Sequence, residues 1–263
     1  MANQAHLALL KAGAVQWIEW RNQNPQIEPD ISTANLSGDN LRGANLQGVN
    51  LTKADLSNAL LVRANLSGAD LSSANLHNAK LIEANLSTAN FSVANLSGAI
   101  LTQADLCHAN LIGCDLRGAN LRGAAIADAN LIGADLSAAD LKEADLGTAK
   151  LIRANLSFAN LIETNLIAAD LGEANLHAAE IIGAYLYKAH LYKANLSKAH
   201  LTCAYLFRAN LSEADLRGAN LSWANLKGAN LAGANLKGAN LKGAKLDGAN
   251  LQQAIMDNTI SEE

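Results

Sequence analysis

The sequence is poor in cysteine, proline and aromatic residues. It has three cysteines and two prolines, and aromatic side chains make up only 4% of its 263 residues. An odd number of cysteines, in a chain without a secretory signal, predicts reduced thiols and a cytoplasmic protein. Both prolines, Pro25 and Pro29, lie close to the start, where they are expected to end a helix.

Long apolar runs are also missing. Half of the residues are apolar, yet no stretch approaches the roughly eighteen consecutive apolar residues that a membrane span requires. The segment 1–21 carries Lys11 in its middle and Glu19 near its end, without a basic start or a small-residue cleavage site. It therefore does not predict a secretory leader. No membrane partner is expected.

What the sequence does contain is a period of five residues. From Leu36 to Met256, every fifth residue is Leu, Phe, Ile or Met, and 41 of these 45 central positions are Leu. Ala stands two residues before the centre at 41 of 45 units, and Asn or Asp directly before it at 33 of 45. The unit is A-(N/D)-L-x-x, without insertion or deletion, and such an internal repeat decides the architecture.

This period fits neither an ordinary helix nor an ordinary strand. A step of five residues on an α-helix would spread the leucines around the axis. On a flat strand, residues five apart point to opposite faces, so half of the leucines would be exposed. The pattern instead favours a short extended piece followed by a bend, so that the chain coils around its own leucines.

Departures from the consensus at outward positions indicate the size of one coil. They recur twenty residues apart, which favours four units per turn, because neighbours in stacked strands tend to match. Examples are Ile112 with Ile132 and Ile152, Ile167 with Tyr187 and Phe207, and Tyr185 with Tyr205.

The A-(N/D)-L-x-x tract resembles the pentapeptide-repeat family and covers about 85% of the chain. The N-terminal stretch also resembles the leaders of cyanobacterial members. The resemblance implies an all-β fold, a right-handed quadrilateral parallel β-helix with four pentapeptides per coil. The 45 units would then form about eleven coils. At roughly 4.8 Å per coil, the rod would be on the order of 50 Å long.

The two ends of the rod need separate consideration, because uncovered strand edges promote aggregation. Residues 5–21 predict one amphipathic helix, so we expect an N-terminal helical cap over residues 1–30, the β-helix over 31–256 and a C-terminal tail over 257–263. Ile255, Met256 and Ile260 precede the acidic tail Ser261-Glu262-Glu263. These apolar residues could cover the last coil or form a homodimer through it, as the resemblance suggests.

Catalytic motifs are hard to find. The cysteines and six histidines lack metal-ligand spacing, and the phosphate-loop pattern is absent. Cys107 and His108 lie on one unit, with Asp128 one coil above His108, and such a trio can form an activated nucleophile. A convex rod offers it no pocket. We therefore predict no enzymatic activity, no cofactor and no metal.

The surface is most irregular where all four tyrosines fall, between positions 185 and 205. On a four-sided rod, three of the tyrosines and Phe207 stack on one side with a basic margin, and Tyr192 lies on the next side; this composition is typical of protein interfaces. Alternatively, the stacks only stabilise the coil ladder. The predicted partner-binding residues are Ile167, Tyr185, Tyr187, Lys188, Tyr192, Tyr205, Phe207 and Arg208.

Charge is uneven along the chain. Residues 105–180 contain eleven acidic and five basic residues, and residues 185–256 contain three acidic and nine basic residues. The whole chain has a net charge of −4, which argues against direct nucleic-acid binding. We predict a non-enzymatic scaffold that binds a protein partner not named by the sequence. The alternative is a DNA mimic that binds a type II topoisomerase such as gyrase, as some relatives do, but the basic last third contradicts a continuous acidic surface.

Overall fold

A computed structural model describes residues 2–260 of the chain, which form a rod of stacked coils. The residue before each centre pairs in parallel with the residue twenty positions later, from Asp30 with Asn50 to Asn240 with Ile260. Within residues 2–260, each pairing segment is a single bridge residue and not an extended strand. Because twenty residues hold four units, the rod has four sides, each with its own ladder.

We number the sides in chain order. Side 1 contains the unit centred on Leu36, side 2 that on Leu41, side 3 that on Leu46 and side 4 that on Leu51, and each recurs every twenty residues. Side 1 is therefore opposite side 3. This numbering assigns every outward residue to a side and a height.

The interior is filled by the two inward residues of each unit. Central leucines such as Leu146 and their companion alanines such as Ala149 are fully buried. Each buried leucine contributes about 2 kcal/mol, and the small alanine leaves room for it. Three variant companions remain buried, Val49, Cys114 and Thr164, and the Thr164 hydroxyl donates a hydrogen bond to the Leu141 carbonyl at 2.8 Å.

The corners depend on the polar residue before the centre. The Asn35 side-chain oxygen accepts a hydrogen bond from the Ser37 N–H at 3.0 Å, and this bond recurs along the rod. Asn side chains also bond from coil to coil, as Asn95 Nδ2 does to Asn75 Oδ1 at 3.2 Å. Both interactions follow from the sequence pattern, because Asn and Asp readily bond to nearby backbone in turns.

Two helices precede the first coil: α1, Gln4–Lys11, and α2, Ala14–Gln23. The sequence predicts one helix over residues 5–21, and this prediction is wrong. Gly13 has a φ of 117°, a conformation that glycine adopts readily and that no helix contains, so the chain turns there. The Asn3 side chain caps α1 by accepting hydrogen bonds from the N–H groups of Ala5 and His6.

The helices contact the backbone edge of the first coil. Trp17 is fully buried, and its indole Nε1 donates to the Asn45 carbonyl at 2.6 Å. One guanidinium nitrogen of Arg21 donates to the Gln47 carbonyl at 2.7 Å. Elsewhere in the rod, the corresponding carbonyls accept hydrogen bonds from N–H groups of the preceding coil, and here two helix side chains replace those donors.

At the other end, the pairing extends to Ile260, beyond the repeat end expected at residue 256. Leu246 and Leu251 are only partly buried in this last coil, and Ile255 and Ile260 are about half exposed. The acidic tail, residues 261–263, lies outside the described part of the chain. Neither helix in residues 2–260 has the length and apolar character needed to span a bilayer.

Because the interior is narrow, a side chain larger than alanine should not fit at the inward alanine position. Replacing the buried Ala144 with Leu should overpack the core and lower the free energy of unfolding by about 1–3 kcal/mol, measured by urea denaturation. The same change at the outward Ala232 is the control and should stay within about 0.5 kcal/mol of the parent. Equal stability of the two variants would contradict this packing.

The Trp17 hydrogen bond predicts a local effect at the first coil. Trp17→Phe keeps most of the apolar contact but leaves the Asn45 carbonyl without its donor, at a cost of about 1–3 kcal/mol. Hydrogen exchange should accelerate over residues 30–50 and remain unchanged beyond residue 100. Uniform acceleration along the rod would argue against a local role.

Candidate partner-binding site

Two aromatic stacks lie next to each other on side 3. The rings of Tyr185 and Tyr205 are parallel within 6°, with centroids 5.1 Å apart. Those of Tyr187 and Phe207 are parallel within 11°, with centroids 5.7 Å apart. The structure thus brings together two pairs that the twenty-residue spacing predicts.

Both tyrosines of the first stack are well exposed. Tyr185 is 45% and Tyr205 48% exposed, although neighbouring units carry Asn at the same position. Ile167, one coil below Tyr187, is 39% exposed and extends the apolar area towards the N-terminal end. These residues form one continuous apolar strip along side 3.

Two cations border the strip. Lys188 Nζ lies 5.1 Å from the centroid of the Tyr187 ring, and the Arg208 guanidinium lies 5.1 Å from that of Phe207. These are cation–π distances. Neither cation takes part in an ion pair within residues 2–260. We call the strip and these two cations the side 3 patch.

Tyr192 lies apart from the side 3 patch, on side 4. Its hydroxyl donates to Glu213 Oε1 at 3.3 Å, and Lys193 Nζ lies 5.0 Å from its ring centroid. Lys193 also pairs with Glu213 at 3.5 Å. The sequence analysis missed Lys193 and Glu213. Their spacing of twenty residues and their opposite charges could have predicted that they pair.

The corner position two residues after the centre explains why Lys188 and Arg208 reach back over the rings. Lys188 has a φ of 56° and Arg208 a φ of 57°, both in the left-handed region. The unit bends at this residue, so its side chain leaves the rod at the corner next to the preceding aromatic residue. The side 3 patch is therefore a product of the regular turn and not of a special loop.

Cys107, His108 and Asp128 lie lower on side 3, but their geometry does not form an activated nucleophile. His108 Nδ1 is 3.9 Å from Asp128 Oδ2, too far for a hydrogen bond. Thr148 donates instead to Asp128 Oδ1 at 2.6 Å. Partial burial, with Asp105 next to it, raises the pKa of the Cys107 thiol, which disfavours the thiolate. Among the residues described, no cluster of His, Cys, Asp or Glu could hold a metal ion.

Comparison with known proteins identifies the family of the chain. Eight copies of the family pattern described as pentapeptide repeats match the chain, at residues 30–68, 50–87, 89–125, 129–166, 169–204, 184–222, 204–243 and 224–260. The chain belongs to the pentapeptide-repeat family. Members fold as right-handed quadrilateral β-helices, in agreement with the four-sided pairing described above.

Several solved pentapeptide-repeat proteins are similar to the chain. HetL, involved in heterocyst differentiation regulation in the cyanobacterium Nostoc sp. strain PCC 7120, is 34% identical over 94% of this chain and 96% of its own, with a TM-score of 0.42. Rfr23 of the cyanobacterium Cyanothece 51142 is 40% identical over 37% of this chain and 64% of its own, with a TM-score of 0.33. QnrB1, a plasmid-mediated fluoroquinolone resistance protein, is 19% identical over 84% and 92%, with a TM-score of 0.36. No curated protein matches the chain.

The three cysteines of this pentapeptide-repeat protein should differ in reactivity. Cys203 is exposed, Cys107 is partly buried with a raised thiol pKa, and the pKa of the buried Cys114 is raised further by desolvation. Because the thiolate is the reacting form, iodoacetamide at mildly alkaline pH should label Cys203 first, Cys107 slowly and Cys114 only after unfolding. Mass spectrometry of the labelled peptides measures this order. Fastest labelling at Cys107 would indicate an activated thiol and would support a catalytic role for it.

Proposed function

We propose that this protein is a non-enzymatic interaction module that binds a protein partner through the side 3 patch. The observation that supports this most directly is the pair of surface aromatic stacks, the exposed Tyr185 with Tyr205 and the half-buried Tyr187 with Phe207. Interfaces are enriched in Tyr, Phe and Arg, and their energetic centres are aromatic residues and arginine. A rigid rod presents these groups without an ordering cost on binding.

The partner's surface should be acidic. Lys188 and Arg208 have no carboxylate partner within the described residues, whereas Lys227, on the same side, pairs with Asp247 at 2.7 Å. A carboxylate of the partner that approaches the rim of the patch would meet these two cations. Such rim charges mainly affect association rate and salt dependence.

A purely structural role for the stacks has less support. Asn side chains occupy the same ladder at Asn165 and Asn225, directly below and above the Tyr185–Tyr205 pair, and they maintain the pairing without exposing apolar surface. A cross-strand aromatic pair contributes only about 0.2–1 kcal/mol. Stability alone therefore does not require the exposed tyrosines.

The gyrase-binding alternative needs an extended acidic surface. Side 3 carries Lys188, Arg208 and Lys245 in the upper coils, and the acidic residues Asp105 and Asp145 lie below the patch. This mixture of signs favours a protein partner with a defined acidic region over mimicry of DNA.

The remaining parts of the proposal concern assembly and location. We propose that the units form about eleven coils from residue 31 to the last described pairing at Ile260, that helices α1 and α2 act as the N-terminal cap, and that the protein is cytoplasmic. The partly buried Leu246 and Leu251 of the last coil support end-to-end pairing of two copies as a further possibility of assembly.

The side 3 patch predicts a specific loss of binding. A variant with Tyr185, Tyr187, Tyr205 and Phe207 changed to Ser should lose its partner in affinity capture from native extract, because the apolar centre of the interface is removed. A control with Trp223→Ser and Ile112→Ser removes exposed apolar side chains from sides 2 and 4 and should capture the same partner as the wild type. Lys188→Gln with Arg208→Gln should weaken capture and reduce its salt dependence.

Identical capture by the wild type and the Ser variant would refute a role for the patch. Circular dichroism before and after heating checks that each variant folds. A supercoiling assay with gyrase tests the alternative, which requires inhibition or protection at micromolar protein.

A further inference from the structure

Side 1, opposite the side 3 patch, carries an unusual outward column. The residue after each centre reads Ser-Ser-His-Ser-Arg from position 37 to 117 in steps of twenty, and the same five residues return in the same order from 137 to 217. The two copies are five coils, or about 24 Å, apart along the rod. Over the same two spans the outward columns of sides 3 and 4 do not repeat in this way.

Two contacts recur in both copies, although His77 also bonds to Asn78 and His177 instead packs edge-on against the Phe158 ring. His77 Nδ1 lies 2.9 Å from Ser97 Oγ, and His177 Nδ1 lies 2.8 Å from Ser197 Oγ. Arg117 and Arg217 each bind the carboxylate two residues earlier in bidentate fashion, with an Nη2 to Oδ2 distance of 2.6 Å in both. Both arginines and one nitrogen of each histidine are therefore held by equivalent partners.

The column becomes self-complementary when it is reflected about Ser137. A two-fold axis along the strand direction at Ser137 would place an antiparallel second copy against side 1. In that register every long side chain of the column faces a serine of the other copy. The opposed pairs are His77 with Ser197, Ser97 with His177, Arg117 with Ser157, Ser57 with Arg217, and Ser37 with Lys237.

The neighbouring column on side 1, two residues after each centre, fits the same register. Phe158, 64% exposed and the largest apolar side chain on this side, would face Gly118 of the other copy. A Cβ built on Gly118 meets nothing within 4 Å, so there is open space for the ring. A parallel arrangement about the same column would instead oppose His77 to His77 and Arg117 to Arg117.

We propose that two copies of this chain associate side by side and antiparallel through side 1, with the two-fold axis at Ser137. The coil spacing of one rod is matched only by another rod of stacked coils, so polar side chains can interdigitate along the full length. Contact over roughly 50 Å by 10 Å buries about 1,000 Å² in total, the lower range of specific interfaces.

The charges at the axis are mixed. Asp135 of each copy would face its counterpart, and Arg117 lies one coil below each of them, where it also contacts Asp115. Asp55 would face Asp215, whose carboxylate is already bound by Arg217. Each opposed pair of carboxylates therefore has an arginine next to it.

This dimer would leave both side 3 patches on its outer surfaces, pointing in opposite directions. It does not depend on the patch binding a partner. It also differs from end-to-end pairing, which uses the last coil.

Cross-linking distinguishes the arrangements. In a background with Cys107→Ser and Cys203→Ser, the Ser137→Cys variant should form covalent dimers with a short bismaleimide, because position 137 lies on the two-fold axis. Ser57→Cys should not, because its counterpart is about 38 Å away, at eight coils. Links at both positions would indicate a parallel pair, and links at neither would leave end-to-end pairing or a monomer; each result overturns the proposal.

Sedimentation velocity tests the contact without cross-linkers. Ser137→Glu would place two glutamates beside the two Asp135 carboxylates at the axis and should convert the dimer to monomer at micromolar concentrations. Ser72→Glu, the same change on side 4, should sediment as the wild type. A monomeric wild type, or a Ser137→Glu variant that still dimerises, would refute the antiparallel interface.

Discussion

The whole molecule depends on the fit between a central leucine and the alanine two residues before it. Both residues point into a narrow interior, so each unit must bend after its centre to bring the next leucine inside. Since interiors are packed at the density of crystals, a coil can neither widen nor narrow without loss of contacts. Every coil is therefore nearly identical in height and orientation, and outward residues twenty apart must stack.

This constraint makes the rod predictable from the sequence and its ends less so. The five-residue period excludes helix and plain strand, and the recurrence at twenty gives four sides, as the parallel bridges show. The N-terminal region follows no period. There, one glycine divides the expected helix, and the hydrogen bond from Trp17 to Asn45 joins residues with no repeat relationship. Such contacts depend on tertiary packing that sequence spacing does not encode.

The candidate site likewise has a part that the repeat predicts and a part that it does not. The stacks of Tyr185 on Tyr205 and Tyr187 on Phe207 could be predicted because the repeat fixes their height and side. The period could not predict the side-chain conformations at the corner positions. The placement of Lys188 over the Tyr187 ring and the bonding of Tyr192 to Glu213 depend on side-chain conformations at exposed positions, which are determined by local charge and not by the core.

Because outward side chains are not part of the core, the four sides can differ in sequence without a cost in folding free energy. Side 3 departs most from the repeat and exposes aromatic residues, whereas side 1 repeats Ser-Ser-His-Ser-Arg with the same histidine–serine contact in both copies. A surface that binds an unrelated partner has no need of translational repetition. A surface that meets another copy of itself does benefit, because matched spacing lets long side chains face short ones along the whole length. The opposite characters of the two sides thus fit the two contacts that we propose, one with another protein and one with a second copy of this chain.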